Sequence, residues 1–178
     1  SGNLSYEILG NSTEYVNDGE TLMVDLNTNN IEWNGDNRNV VGVRIILTYS
    51  EDETSNGPGC AAPGASQPDP DTITGTITHG DFNGTGSGQN QGQGSSSHEV
   101  LVEWYNSSLY LSGNASGMSE SQIINELDSM GKGLGAYLLE INVDAESGNA
   151  FQCNHTDNGE EVEYLVEVVL LNYEIRPT

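Results

Sequence analysis

A chain of 178 residues is the size of one domain with a real core, and its 34% hydrophobic content is gathered into short patterned runs rather than spread as in a disordered chain. Four basic residues, Arg38, Arg44, Lys132 and Arg176, stand against 27 acidic ones, for a net charge of −23. That surface repels a phosphate backbone and an anionic bilayer face, so nucleic-acid partners and direct membrane insertion are not expected.

Leu4–Leu9 alternates Leu4, Tyr6 and Ile8 against Ser5, Glu7 and Leu9, the period of a strand, and Gly10 with the polar residues after it ends that strand. Residues 1–10 are thus a short N-terminal strand whose apolar side, Leu4, Tyr6 and Ile8, makes it a candidate for donation to a neighbouring sheet. Asn17-Asp18-Gly19 reads as a tight turn before a second strand, Thr21–Leu26. Val40–Ser50 is a long, nearly continuous apolar strand, and the acid excess predicts a carboxylate partner for Arg44 within it. Residues 51–71 form a long acidic connection rich in Pro and Gly that holds Cys60. Thr72–Phe82 alternates Thr with Ile73 and Ile77, the pattern of an exposed or edge strand, while 83–97 carries no apolar side chain and reads as a second long surface loop.

His98–Tyr105 returns to strand, with Leu109–Leu111 as its continuation past a bend at Asn106. A helix follows. Ser119 caps it, Gln122 completes a capping box, Ile123, Ile124, Leu127 and Met130 form its stripe, and Gly131 stops it. The glycines of Gly131–Gly135 lie behind a helix, where the dipole is negative, so they are a stop and not a phosphate cradle. Ala136–Val143 is another strand. Last comes Glu161–Pro177, in which Val162, Tyr164, Val166 and Val168 alternate with Glu161, Glu163, Leu165 and Glu167. From Val168 to Leu171 four apolar residues run together, so both faces are covered there and the strand is central.

Seven to nine strands at even spacing with one short helix in a connection describe a single all-β domain over 1–178, an antiparallel β-sandwich of immunoglobulin-like or jelly-roll type. The two cysteines, Cys60 and Cys153, are expected to form one disulfide, and six N-x-S/T sequons, at Asn3, Asn11, Asn83, Asn106, Asn114 and Asn154, are expected at strand ends and loops. Both features speak for an extracellular or cell-surface address, and the abrupt Ser1-Gly2 start is what removal of a leader or anchor would leave.

No catalytic constellation emerges. Ser97, His98 and Glu99 are neighbours on a strand and point to opposite faces, so they form no relay. A copper site from Cys153, His155 and His79 or His98 lacks a suitably spaced methionine and competes with the disulfide. Calcium is the more plausible ion, with oxygen ligands at Glu51–Glu53, at Asp69 and Asp71, and over Asp81–Thr85, but no assignable site.

The near-absence of lysine, with acids spread along the chain, resembles secreted acidic surface proteins and filament subunits of salt-adapted or marine archaea. What this implies is a non-enzymatic structural subunit that polymerises with itself, or contacts other surface proteins, by strand exchange. The alternative is a cell-surface binding or adhesion module for glycan or calcium, with Trp33, Trp104 and Tyr105 as candidate sugar-stacking rings.

Overall fold

The computed structural model describes residues 1–50, 54–61, 70–90, 94–145, 149–150 and 153–177. Among these, two four-stranded antiparallel sheets face one another. The first is ordered β1 (Gly2–Asn17), β11 (Gly159–Tyr173), β3 (Val40–Ser50), β7 (Ser95–Glu103). The second is ordered β2 (Thr21–Asn27), β8 (Ala136–Asp144), β5 (Asp71–His79), β6 (Phe82–Asn90). A small sheet joins β4 (Thr54–Asn56), β10 (Cys153–Thr156) and β9 (Asn149–Ala150). With that small sheet set aside, the first main strand pairs with the last, the second with the second-last, the third with the third-last, and β5 with β6 in the middle. A long hairpin rolled in this way is a jelly roll. The immunoglobulin alternative is thereby excluded.

The terminal strand occupies the centre of its sheet, between β1 and β3. Val162, Val166 and Val168 are buried against Ile45, Leu47, Ile73, Leu139 and Ile141 in the main core. The doubly covered run has a specific cause. On the outer face Val169 and Leu171 join Val41 and Leu127 in a second cluster, roofed by α1 (Ser107–Ser112) and α2 (Glu120–Leu127). Asn39 holds this roof down: its side-chain amide donates to the carbonyls of Leu127 and Leu171 at 2.9 and 3.1 Å, and its oxygen accepts from Ser129 N at 2.8 Å.

The capping box at Ser119 and Gln122 is formed, but α2 stops at Leu127 rather than beyond Met130. Met130 takes a left-handed φ of 54° and is exposed, so the stripe is one turn shorter than its periodicity suggests. Leu109–Leu111, expected to continue the strand before it, lies in α1 instead. Asn106 accepts from Leu109 N at its start, and Gly113 at φ 61° ends it.

The larger correction is at 83–97. Rather than one surface loop, Phe82–Asn90 is the edge strand β6 and Ser95 already belongs to β7. The glycines are the reason. Gly84, Gly86 and Gly88 face inward where β7 and β3 side chains press close, and a Cβ on each would meet Val102 at 2.4 Å, Val100 at 2.9 Å and the Tyr49 hydroxyl at 2.2 Å. Their neighbours face out and bond across to β5, Thr74 to Ser87 at 2.7 Å and Thr76 to Thr85 at 2.9 Å. The connection 51–71 contains β4 and a 3-10 turn, Pro58–Ala61, and β5 begins at Asp71; paired with β8 on one side and β6 on the other, it is an inner strand and not the exposed or edge strand its threonines suggested.

Candidate functional site

Two features organise the candidate site: the long edge strand β1 and the outer face of the sheet it borders. β1 runs on past Gly10 to Asn17, because a bulge between Ile8 and Gly10 absorbs the break and restores pairing. Its partner throughout is β11, from Gly2 opposite Tyr173 to Asn17 opposite Gly159, and β1 is the edge of its sheet. At the far end Ser1 and Glu174 exchange backbone bonds, Ser1 N to Glu174 O at 3.2 Å and Glu174 N to Ser1 O at 2.7 Å.

Leu4, Tyr6 and Ile8, the apolar side expected from the sequence to engage a sheet, point to the outer face. Leu4 packs under the helical roof, while Tyr6 and Ile8 are exposed. The β1 residues that enter the core are Leu9 and Val16, with Glu7 buried beside them. Alternation identified two faces; the pairing with β11 decided which one is inside. On the outer face the Arg44 guanidinium lies 3.6 Å over the Tyr6 ring and donates to Glu167 at 2.9 Å, the carboxylate partner the charge balance predicted. Ile8, Glu167, Arg44 and Leu101 make one row across four strands, and Ile8 and Leu101 at its ends are 52% and 48% exposed.

The disulfide is formed between Cys60 and Cys153, with Cα atoms 4.7 Å apart, and ties the 3-10 turn after β4 to β10. Of the sequons, Asn3 and Asn83 are exposed at the starts of β1 and β6, at strand ends as expected, whereas Asn11 is exposed within the edge strand β1. Asn106 and Asn114 are exposed in the helical connection. Asn154 lies in β10, but its side chain is outside the described residues, as are Glu51–Glu53 and Asp69 from the calcium candidates. Asp71 opens β5 in a fully buried position, and the Asp81–Thr85 stretch is a hairpin turn running into β6. Among the described residues no group of three or more His, Cys, Asp or Glu side chains is placed to hold a metal ion.

His79 and His98 are engaged. Both ring nitrogens of buried His79 lie against carbonyl oxygens, of Ala136 at 2.7 Å and Lys132 at 2.5 Å, and its ring stacks on Tyr137 with centroids 4.0 Å apart. His98 holds the Tyr49 hydroxyl at 2.9 Å and the Gly86 carbonyl at 3.0 Å. Burial, and the nearby charge of fully buried Glu160, push the Tyr49 phenol above its ordinary range. The expected sugar-stacking rings are also committed: Arg38 lies 4.2 Å over Trp33, and Trp104 stacks on Phe82 at 4.7 Å and donates to Val40 O at 2.9 Å. Tyr105 packs against Tyr110 beneath the helical roof. Sequence reasoning missed the outer-face row, since its residues come from four separate strands.

No family model matches this chain, and no curated protein matches it in sequence.

Proposed function

We propose that this chain is a non-catalytic, extracellular structural subunit of a filament or surface layer, joined to its neighbours by exchange of β1. The observation that carries this reading is the β1–β11 ladder, in which a 16-residue edge strand gives one side to β11 and leaves the other without a partner strand among the described residues. β1 reaches the rest of the fold through a three-residue turn, 18–20. A neighbour's β1 in the same place would satisfy the same backbone groups, so exchange alters connectivity while conserving the bonds. The disulfide and the exposed sequons support an oxidising, external setting, and among the described residues no helix is long and apolar enough to cross a membrane. Jelly rolls serve assembling shells and carbohydrate-binding domains alike, so the fold itself does not choose between them. The sequence alternative, a module for glycan or calcium, draws less support, because Trp33 and Trp104 are committed to intramolecular contacts.

The test is a cysteine pair at register partners, Thr13→Cys with Glu163→Cys, both on exposed positions. Strand exchange predicts interchain disulfides, seen as a ladder of covalent multimers on a non-reducing gel. A crosslink confined to single chains, with a monodisperse monomer at every salt and protein concentration tried, overturns the proposal.

A further inference from the structure

A groove of 680 Å³ lies between the helical roof and the final residues of the chain. Leu109, Tyr110, Ile123 and Leu127 line one side, and Tyr173 and Ile175 the other. The loop between α1 and α2 arches along its rim, and Asn114 and Ser116 of the sequon Asn114-Ala115-Ser116 are part of the wall. Apolar and aromatic side chains are thus left facing open space beside a modification motif.

The sequon is arranged for transfer. Ser116 donates to Asn114 Oδ1 twice, from its hydroxyl at 2.7 Å and from its backbone N–H at 3.0 Å. Asn114 is exposed, and its Nδ2 donates no hydrogen bond to a described residue. Donation to Oδ1 draws electron density toward the oxygen and acidifies the Nδ2–H, the proton that must leave. Asn106 is the contrast. Its Nδ2 donates to Glu126 at 2.7 Å and its Oδ1 caps α1 through Leu109 N at 2.9 Å, so its amide nitrogen is already engaged and a sugar there would crowd the Glu126 bond.

We infer that Asn114 carries an N-linked glycan whose first residues seat in the adjoining groove and pack their C–H faces against Tyr110, Tyr173 and the aliphatic side chains around them. This rests on the extracellular reading above. In the transfer, Nδ2 bonds to the anomeric carbon of a sugar held on a lipid phosphate, its proton passes to a carboxylate base of the transferring enzyme, and the lipid phosphate departs with the electron pair of the broken C–O bond. The attached sugar is bulky and polar outward, and it takes an apolar groove out of contact with water. It also spans from the loop after α1 to the end of β11, and so fastens the helical roof.

The experiment uses the protein from its native host. Glycopeptide mass spectrometry should find the Asn114 peptide occupied and the Asn106 peptide bare. Hydrogen exchange should then show amides of 109–127 and 173–175 exchanging about tenfold faster in Ser116→Ala than in the wild type, whereas Asn83→Gln leaves them unchanged. The same Ser116→Ala variant, compared with wild type when both are made without glycosylation, should show no difference. Other sequons occupied with Asn114 bare overturns the inference, as does an occupied Asn114 whose loss leaves those amides unchanged. All described sequons bare removes the extracellular glycoprotein reading as well, which separates the two failures.

Discussion

Glu7 and Asn34 clasp the first strand to the segment that follows β2: one carboxylate oxygen accepts from Asn34 N and the other from Asn34 Nδ2, each at 2.9 Å. Glu7 is buried, so the bonds are made out of water. Glu7→Ala leaves the Asn34 donors unsatisfied and is expected to cost about 2 kcal/mol, seen as a lower urea midpoint at unchanged slope. Glu7→Gln, which keeps one acceptor but turns a second donor toward Asn34 Nδ2, should fall between the two. A Glu7→Ala protein as stable as wild type would show that the clasp does not hold β1.

The inward glycines of β6 are predicted to be intolerant of a single methyl group. Gly86→Ala and Gly88→Ala place Cβ at 2.9 Å from Val100 and 2.2 Å from the Tyr49 hydroxyl, and should each cost about 1–3 kcal/mol. Ser87→Ala, on the outward face between them, should stay within about 1 kcal/mol. Equal effects at 86 and 87 would contradict the assignment of β6 as a strand with an inner and an outer face.

Removal of the disulfide should be costly. Cys60 and Cys153 are 93 residues apart, a loop for which the chain-entropy model gives about 4–5 kcal/mol. Calorimetry of the double Cys→Ser variant should therefore show a fall in Tm on the order of 10–20 °C. A shift under about 2 °C would mean that the bond constrains a chain already restrained when unfolded.

Alkaline titration offers a readout of the core. Tyr137 is buried, donates to Gly133 O at 2.6 Å, and has its phenol pushed well above the ordinary value of 10.0 by burial. A folded-state value above the unfolded one means that the contribution to stability is complete below about pH 10 and is lost as pH rises toward the folded value. Ultraviolet titration of the protein's 8 tyrosines should show a late wave in which Tyr105 and Tyr137, both pushed well above the ordinary value by burial, ionise only as the fold opens, and Tyr137→Phe should take the Tyr137 contribution out of that wave. Its appearance in the first wave, with circular dichroism unchanged, would refute the prediction.

Because Ser1 and Glu174 are hydrogen-bonded neighbours, joining the termini by a short linker and opening the chain at Gly80–Asp81 should yield a folded permutant. With β1 tethered directly behind β11, that permutant should remain monomeric under conditions where the parent assembles. A permutant that still polymerises would rule out exchange of β1.

For several features the sequence was sufficient. The alternation and doubly apolar run of β11, the capping box of α2, the pairing of the only two cysteines and the carboxylate partner of Arg44 all follow from local period, cap chemistry or counting. Tertiary structure decided the rest. β6 has no hydrophobic period because glycine presents nothing inward; what makes it a strand is the bulk of Val100, Val102 and Tyr49 on other strands. Leu4, Tyr6 and Ile8 form a clear apolar side, yet an alternation has two faces, and the ladder to β11 with its bulge turned that side outward. The jelly-roll order itself, first strand beside last, depends on contacts more than 150 residues apart along the chain, as Gly2 with Tyr173 shows, and no local period can encode a partner at that distance.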